Sequence, residues 1–241
     1  MQNLPTIHIG IIGGMGPQAS ALLHTMLIQA CTEQLGLRDC HEFPLITHVS
    51  IPAIDFISRP ELRAQNAKLL QRAAQTLTTT PLDMAIIACN TAHILVDEMP
   101  ELQQLPLISL PESVLAEAKN RGVQRIGLIA SPTTLRMKLY ENHAQKHGIS
   151  IVTASAASGL KAERVIRSTI AGKAGLREVH TLHQIAEELR SKGAELIVLG
   201  CTELSVAMQG HKHLDMIDSL QATTNAAIGR MRVLNKEPSN V

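Results

Sequence analysis

The sequence is poor in aromatic residues and has no excess of charge of either sign. Its 241 residues include no tryptophan, and its aromatic side chains are those of Phe43, Phe56 and Tyr140. Single-strand nucleic-acid binders and aromatic ligand cages depend on stacking surfaces that so few rings do not supply. The 22 Lys and Arg residues against 21 Asp and Glu residues leave a net charge of +1, which attracts neither nucleic acid nor anionic lipid. We therefore expect a small polar ligand and no nucleic-acid partner.

Long apolar runs are also missing. No stretch approaches the roughly 18 uninterrupted apolar residues of a membrane span, and the N-terminus leads directly into a strand-like run without a basic segment or a cleavage site. The four cysteines are too few and too scattered for a disulfide scaffold, and no C-x-x-C pair indicates zinc. The sequence predicts a cytoplasmic protein with no membrane span and no metal site.

Short apolar runs alternate with amphipathic stretches along the whole chain. Runs of this kind are typical of parallel strands that are buried on both faces, with helices between them. The pattern predicts an α/β fold with eight strands: Ile7–Ile12, Phe43–Ile51, Met84–Cys89, Leu105–Leu110, Arg125–Ala130, Ile149–Ser155, Leu196–Cys201 and Leu214–Ser219.

The first four runs align with the last four. Ile9 corresponds to Ile126 at an offset of 117 residues, and Cys89 corresponds to Cys201 at an offset of 112. Such small drift in the offset indicates a duplicated unit of about 110 residues. We predict two pseudosymmetric doubly wound lobes, each with a four-stranded parallel sheet flanked by helices. The N-terminal lobe comprises residues 1–110 plus 217–241, and the C-terminal lobe comprises residues 111–216.

The duplication places one cysteine of each lobe at the end of a strand. Ligands of open α/β sheets bind beyond the carboxyl ends of the strands, so Cys89 and Cys201 are expected to face one cleft from opposite sides. One thiolate can remove a proton from a carbon while the other thiol returns a proton to the opposite face, which is racemisation. A lone cysteine at a strand end is more often a small hydrophobic residue. Two at equivalent positions, each followed by polar residues, favour the catalytic interpretation, with a thiol pKa lowered by nearby donors.

Three motifs in order, GIIGGMGPQAS, CNTAH and GCTEL, resemble the aspartate/glutamate racemase family, whose members are cofactor-independent amino acid racemases with two catalytic cysteines. The resemblance covers essentially the whole chain. It implies that no pyridoxal phosphate or metal takes part and that Cys89 and Cys201 are the two bases. It further implies that Glu203 orients or tunes Cys201. The residues implied to bind the substrate's α-carboxylate and amino group are Asn90, Thr91 and Thr202.

The same resemblance addresses the substrate side chain. It implies that Met15 lines the cleft and that Lys173 and Thr134 contact a distal carboxylate, so that the substrate is an acidic amino acid, aspartate before glutamate. The family usually continues strand two with I-P-D-R, whose Asp assists the first cysteine and whose Arg binds the distal carboxylate. This chain reads SIPAIDFISRP instead, and Asp55 and Arg59 are the candidates to replace that pair.

Several alternatives remain open at this point. Within the superfamily they are a hydantoin racemase, a maleate isomerase and an arylmalonate decarboxylase. The decarboxylase uses one cysteine, and the presence of both in this chain argues against it. A paralogue that binds an amino acid without turning it over is the alternative from another class. A G-x-G-x-x-A fingerprint begins at Gly14, but strand two ends in Ser50 rather than in the acidic residue that would hold a ribose. His93 either borders the cleft or packs a helix. We predict a homodimer.

Overall fold

The computed structural model describes residues 7–55, 58–211 and 216–235, which form two parallel sheets flanked by helices. The strands are β1 (His8–Gly13), β2 (Leu45–Ser50), β3 (Met84–Ile87), β4 (Arg125–Ala130), β5 (Ser150–Thr153), β6 (Leu196–Gly200) and β7 (Met216–Asp218). The helices are α1 (Pro17–Leu35), α2 (Arg63–Thr78), α3 (Pro100–Gln103), α4 (Leu110–Asn120), α5 (Pro132–Arg136), α6 (Leu139–Ala144), α7 (Ala156–Ile170), α8 (Leu176–Ser191), α9 (Thr202–Ala207) and α10 (Ser219–Leu234). Short 3-10 segments span Cys40–Glu42, Pro60–Leu62, Thr91–Glu98 and Gln145–His147.

The two sheets have the same strand order. In the first sheet β1 lies between β2 and β3, and in the second β4 lies between β5 and β6, with β7 added beyond β6. All of these pairings are parallel. Ile9 aligns with Ile46 and Met84 across the first sheet, and its repeat partner Ile126 aligns with Ile151 and Leu196 across the second. The predicted two-lobed α/β architecture is confirmed.

Helices cover both faces of each sheet, which explains why β1, β3, β4 and β6 are almost entirely buried. On one face of the first sheet Leu23 of α1 and Ile228 of α10 pack in one buried cluster with Ile9 and Ile11 of β1. On the other face α2 packs against β1 and β3. In the second sheet α7 and α8 cover one face and α4 and α6 the other. Within the described part of the chain, no helix is both long and apolar enough to cross a membrane.

The fourth strand predicted for the N-terminal lobe is wrong. Leu105–Leu110 forms a single parallel bridge between Leu107 and Ala85, so the first sheet has three strands among the described residues. Pro106 has no N–H to donate to a ladder, and only its carbonyl is used, by the N–H of Ala85. Ser109 then caps α4 by accepting from the N–H of Glu112, which ends the extended backbone.

Most other strand ends differ from prediction by one or two residues. β2 begins two residues late, after the turn of Cys40–Glu42, and β3 ends two residues before Cys89. For the last predicted strand, Leu214 and Asp215 lie outside the described residues, and Ser219 already begins α10. Helix α10 packs against α1 of the first lobe and also against α4. The lobe boundaries given above stay a prediction.

Candidate active site

The two strand-end cysteines lie at the carboxyl edges of the two sheets. β3 ends at Ile87, and the N–H of Cys89 donates to the carbonyl of Ile87 (2.7 Å) in a tight turn. β6 ends at Gly200, and Cys201 has an extended backbone immediately before α9. Each cysteine is only 5% exposed. The positions that the repeat makes equivalent in sequence are also equivalent in structure.

The segments that carry the two thiols contact each other. The Thr202 hydroxyl donates to the carbonyl of Ala88 at 3.5 Å, which joins the residue after Cys201 to the residue before Cys89. A thiolate at Cys89 would raise the pKa of Cys201, so the two groups are coupled electrostatically. Both thiols therefore border one buried site between the sheets.

Glu203 is the acidic group of this site. The Cys201 thiol donates to Glu203 Oε2 at 3.0 Å, and the Thr202 hydroxyl donates to the same oxygen at 3.3 Å. Glu203 is 4% exposed, and its Oε1 accepts no hydrogen bond from any described residue. A Cβ added to Gly16 would lie 2.3 Å from that oxygen, so only glycine leaves room for the carboxylate at this position. Gly16, the second glycine of the G-x-G-x-x-A fingerprint, therefore makes room for Glu203 and does not indicate a dinucleotide site.

Both thiols are neutral in this structure. Burial raises the pKa of Cys89 to about 12, an effect that the charge of Glu203 adds to and the backbone N–H groups of Ala92 and Thr91 partly offset. Burial, followed by the charge and hydrogen bond of Glu203, raises the pKa of Cys201 well above its usual range. Burial also raises the pKa of Glu203, against the hydrogen bond from Cys201. The expectation of a thiol pKa lowered in the ligand-free protein is therefore wrong, because desolvation outweighs the nearby donors.

Three hydroxyl groups connect the loop after β3 to the loop after β4. The Thr91 hydroxyl lies 2.9 Å from Ser131 Oγ and 3.0 Å from Thr134 Oγ1, and Ser131 caps α5 by accepting from the N–H of Thr134 at 3.2 Å. All three residues are buried. The structure thus brings together Thr91 and Thr134, both predicted substrate contacts. Ser131 was not among the predicted residues, although a serine before Pro132 is a helix N-cap signal.

Asn90 is held by two residues, Tyr140 and Ser219, that no sequence pattern marks as site residues. Its Oδ1 accepts from the Tyr140 hydroxyl at 2.7 Å, and its Nδ2 donates to Ser219 Oγ at 3.0 Å. Tyr140 comes from α6 and Ser219 from the start of α10, so the carboxamide is held from two directions and is 1% exposed. One N–H of the amide remains for a ligand.

His93 is a neutral support for the Cys89 turn. Its Nδ1 lies 2.9 Å from the carbonyl of Cys89, and its Nε2 accepts from the N–H of Leu110 at 3.2 Å. A carbonyl only accepts, so Nδ1 carries the proton. Burial lowers the pKa of His93 to about 4. Of the two interpretations that the sequence left open, the structure therefore favours packing, with the imidazole tying Cys89 to the first residue of α4.

An open cleft of about 270 Å³ adjoins the site. Its walls are the loop between β1 and α1, the segment after β2 and the end of α7. The lining residues are Gly14, Met15, Gly16, Pro17, Ala53, Asp55, Arg167 and Ile170. Met15 therefore lines a cleft, and its contact with a substrate stays a prediction. Gly16 belongs both to this wall and to the contact with Glu203, so the cleft leads to the thiol pair.

Arg167 is the cation of this cleft, and the sequence prediction missed it. Its Nη2 donates to Asp55 Oδ2 (3.1 Å) and to Ser58 Oγ (2.8 Å), and its Nε donates to Glu163 one turn earlier in α7 (2.9 Å). The contact with Asp55 spans 112 positions of the chain and joins the two lobes. A charged residue on a helix is by default solvated, and no spacing signal marks this one.

The two cations that the sequence did predict lie elsewhere. Lys173 is exposed, follows α7 in a turn closed by its N–H to the carbonyl of Ser168 (2.8 Å), and its ammonium group contacts no described acidic residue. Arg59 pairs with Glu61 at 2.9 Å and lines a narrow crevice that shares no residue with the cleft at Met15. Asp55 is the member of the predicted pair that does reach the cleft.

The remaining cysteines are unlike the strand-end pair. Cys31 is fully buried on α1, where desolvation raises its pKa, and Cys40 is exposed in the turn before β2. Neither contacts the site through any described hydrogen bond. Cys31 and Cys40 therefore serve as controls for the pair.

Several known proteins are similar to this chain along most of its length. RacX of Bacillus subtilis (strain 168), a broad specificity amino-acid racemase, is 23% identical over 212 residues, which cover 88% of this chain and 92% of that protein. An aspartate racemase homologue from Pyrococcus horikoshii OT3 superposes with a TM-score of 0.73 at 25% identity, covering 95% of this chain and 99% of that one. The aspartate racemase of Picrophilus torridus shares the fold, with a TM-score of 0.75 at 19% identity over 96% and 95% of the two chains.

The model of one protein family matches residues 12–227, which include the first glycine loop, both strand-end cysteines and the start of α10. This range spans most of the chain and contains both halves of the duplication. The protein belongs to the Asp/Glu/Hydantoin racemase family.

Proposed function

We propose that this protein inverts the α-carbon of an acidic amino acid, aspartate before glutamate, with Cys89 and Cys201 as the two bases and without pyridoxal phosphate. The observation that carries the proposal is the pair of buried thiols at equivalent strand ends, with Glu203 hydrogen-bonded to one of them. Two proton-transfer groups on opposite sides of a carbon are what a two-base inversion requires.

The surroundings of the two thiols differ, and the difference suits opposite roles. Around Cys89 the backbone N–H groups of Thr91 and Ala92 favour a thiolate, whereas the carboxylate of Glu203 next to Cys201 favours a thiol. Cys89 is then the base and Cys201 the acid in one direction of the reaction. In the reverse direction these roles exchange.

The proton transfers balance if Glu203 takes part together with Cys89 and Cys201. Cys89, Cys201 and Glu203 together hold two protons. With both thiols protonated, Glu203 carries the charge; transfer of one proton from Cys89 to Glu203 creates the Cys89 thiolate without a second buried negative charge. The thiolate takes the α-proton, and the electron pair of the C–H bond moves into the α-carboxylate. Cys201 then protonates the opposite face, and Glu203 returns its proton to Cys201.

The remaining polar groups have assigned roles in this scheme. Asn90, Thr91 and Thr202 are proposed to hold the α-carboxylate and amino group and to stabilise the negative charge that develops on the carboxylate. The buried Oε1 of Glu203, which has no described partner, is available to the substrate's ammonium group. The positive charge of that ammonium also lowers the cost of forming a thiolate in a desolvated site.

Proton NMR in deuterated water tests this proposal across a panel of L- and D-amino acids. Loss of the α-proton signal reports abstraction even when net inversion is slow, so the method separates a racemase from a protein that only binds. We expect exchange and inversion with aspartate, and slower turnover of glutamate. A wild-type protein that exchanges no α-proton would support the non-catalytic alternative, and one that prefers neutral amino acids would refute the acidic substrate.

A further inference from the structure

The cleft at Met15 contains a guanidinium group that is only partly used. Nε and Nη2 of Arg167 donate to Glu163, Asp55 and Ser58, whereas Nη1 donates to no described residue. A guanidinium presents five N–H donors in a planar fork, and its open side suits one carboxylate. Arg167 is 45% exposed, so a ligand in the cleft can reach it without any change of fold.

The ion pair with Asp55 fixes this group at the cleft instead of leaving it in solvent. Asp55 comes from the segment after β2, and Arg167 from the last turn of α7, so the pair spans the cleft between the lobes. Both residues also line the cleft whose far wall, Gly16, contacts Glu203. A substrate with its α-carbon between the thiols extends its side chain into this space.

We propose that Arg167 binds the distal carboxylate of the substrate and that Asp55 is the internal anion that this carboxylate displaces or joins. This inference rests on the proposed function and adds a specificity-determining residue to it. Glu163, one turn away on the same helix, keeps the guanidinium in place when Asp55 is exchanged for the ligand. Asp55 then also discriminates against neutral side chains, because a substrate that offers no anion leaves the existing ion pair intact.

Lys173 is the competing candidate for this role. Its exposed side chain, whose ammonium group contacts no described acidic residue, contrasts with the fixed guanidinium in the cleft. A cation that is already held in place loses less conformational entropy on binding than a long, free side chain. Arg167 is therefore the better placed of the two.

Isothermal titration calorimetry with L-aspartate and L-alanine tests the assignment without relying on turnover. Arg167→Gln is expected to weaken L-aspartate binding by about 30-fold or more, as for loss of a charged partner, and to change L-alanine binding less than about threefold. Asp55→Asn removes the competing anion and is expected to strengthen L-aspartate binding by about two- to fivefold. Arg164→Gln makes the same charge change at an exposed residue of α7 that lines a different pocket, and it is expected to have no effect.

The expected changes in L-aspartate affinity have opposite signs in Arg167→Gln and Asp55→Asn. This difference distinguishes a ligand-binding role of the ion pair from a structural one. If the ion pair only holds the lobes together, Arg167→Gln and Asp55→Asn weaken the binding of both amino acids alike, and the inference is overturned. It is also overturned if Lys173→Met shows the selective loss instead, or if wild-type protein binds L-aspartate no better than L-alanine. The proposed function fails by a separate result, the absence of α-proton exchange with any amino acid in the NMR assay.

Discussion

The Cys201 thiol donates a hydrogen bond of 3.0 Å to Glu203 Oε2, while its repeat partner Cys89 faces backbone N–H groups. The two halves of the molecule are alike in strand order but not in the electrostatics around their thiols. Glu203 favours the thiol form of Cys201, whereas the backbone N–H groups near Cys89 favour its thiolate. The Cys201–Glu203 contact therefore makes a symmetric scaffold electrostatically asymmetric at its two thiols.

Glu203→Gln separates charge from packing at this contact. Loss of the carboxylate removes the group that accepts a proton from Cys89 and returns it to Cys201. We therefore expect racemisation to slow by about 100-fold or more. Because the charge of Glu203 raises the pKa of both thiols, the same variant is expected to react faster with iodoacetamide at Cys201. Racemisation assays and mass spectrometry measure the two effects. Glu187→Gln, on an exposed part of α8, is the control; parallel changes in both readouts would contradict the account.

Alkylation of the unmodified protein reports the burial of the thiols. Cys40 is exposed and is expected to react first, whereas Cys89 and Cys201 are buried and protonated and react slowly near neutral pH. As the pH rises, Cys89 is expected to be labelled before Cys201, because Glu203 disfavours the Cys201 thiolate more strongly. Substrate should protect both. Labelling of Cys201 ahead of Cys89 in a mass-spectrometric time course would reverse the assigned asymmetry.

Gly16→Ala tests the fit of Glu203 against the first loop. The new methyl group would lie 2.3 Å from Glu203 Oε1, so the carboxylate must move away from Cys201. We expect most of the activity to be lost while the protein still folds, as followed by circular dichroism and steady-state kinetics. Gly229→Ala, at an exposed position within α10 where nothing lies near the added Cβ, is the matched control. It should keep full activity and gain about 0.5 to 1 kcal/mol of stability.

His93 predicts a pH dependence of stability. Its pKa is about 4 in the folded protein and near 6.5 when unfolded, so between these values the unfolded chain binds more protons. The free energy of unfolding therefore rises with pH through this window, and the contribution of His93 is on the order of 3 kcal/mol across all of it. Urea titrations at pH 7 and pH 5 measure the slope.

The same titrations with His93→Gln provide the check. The variant lacks the titrating group, so the difference in stability between pH 7 and pH 5 should shrink, although the variant is less stable at pH 7. His180→Gln, an exposed position on α8, should leave the difference unchanged. An equal pH dependence in wild type and His93→Gln would mean that the imidazole is not held neutral.

The repeat in the sequence was sufficient to predict the architecture and the positions of both thiols. Apolar periodicity is a local signal, and β1, β3, β4 and β6 are buried on both faces, so for these strands the pattern and the structure coincide. The exception, Leu105–Leu110, failed because Pro106 removes a ladder donor. Side-chain contacts between distant segments leave no such local signal, which is why Arg167 and Tyr140 were missed. The raised thiol pKa values depend on the three-dimensional burial of the site, which the sequence does not show.

Proton exchange by the single cysteine variants tests the two-base account most directly. Cys89→Ser and Cys201→Ser are incubated separately with L-aspartate and with D-aspartate in deuterated water, and both α-proton loss and inversion are followed by NMR and chiral chromatography, with Cys31→Ser and Cys40→Ser as controls. With two bases, each variant is expected to lose interconversion in both directions. Any residual α-proton exchange should be confined to one enantiomer, and that enantiomer should differ between the two variants. The Cys31→Ser and Cys40→Ser controls should match wild type. Near wild-type interconversion in either Cys89→Ser or Cys201→Ser would remove that cysteine from the mechanism and contradict the two-base account.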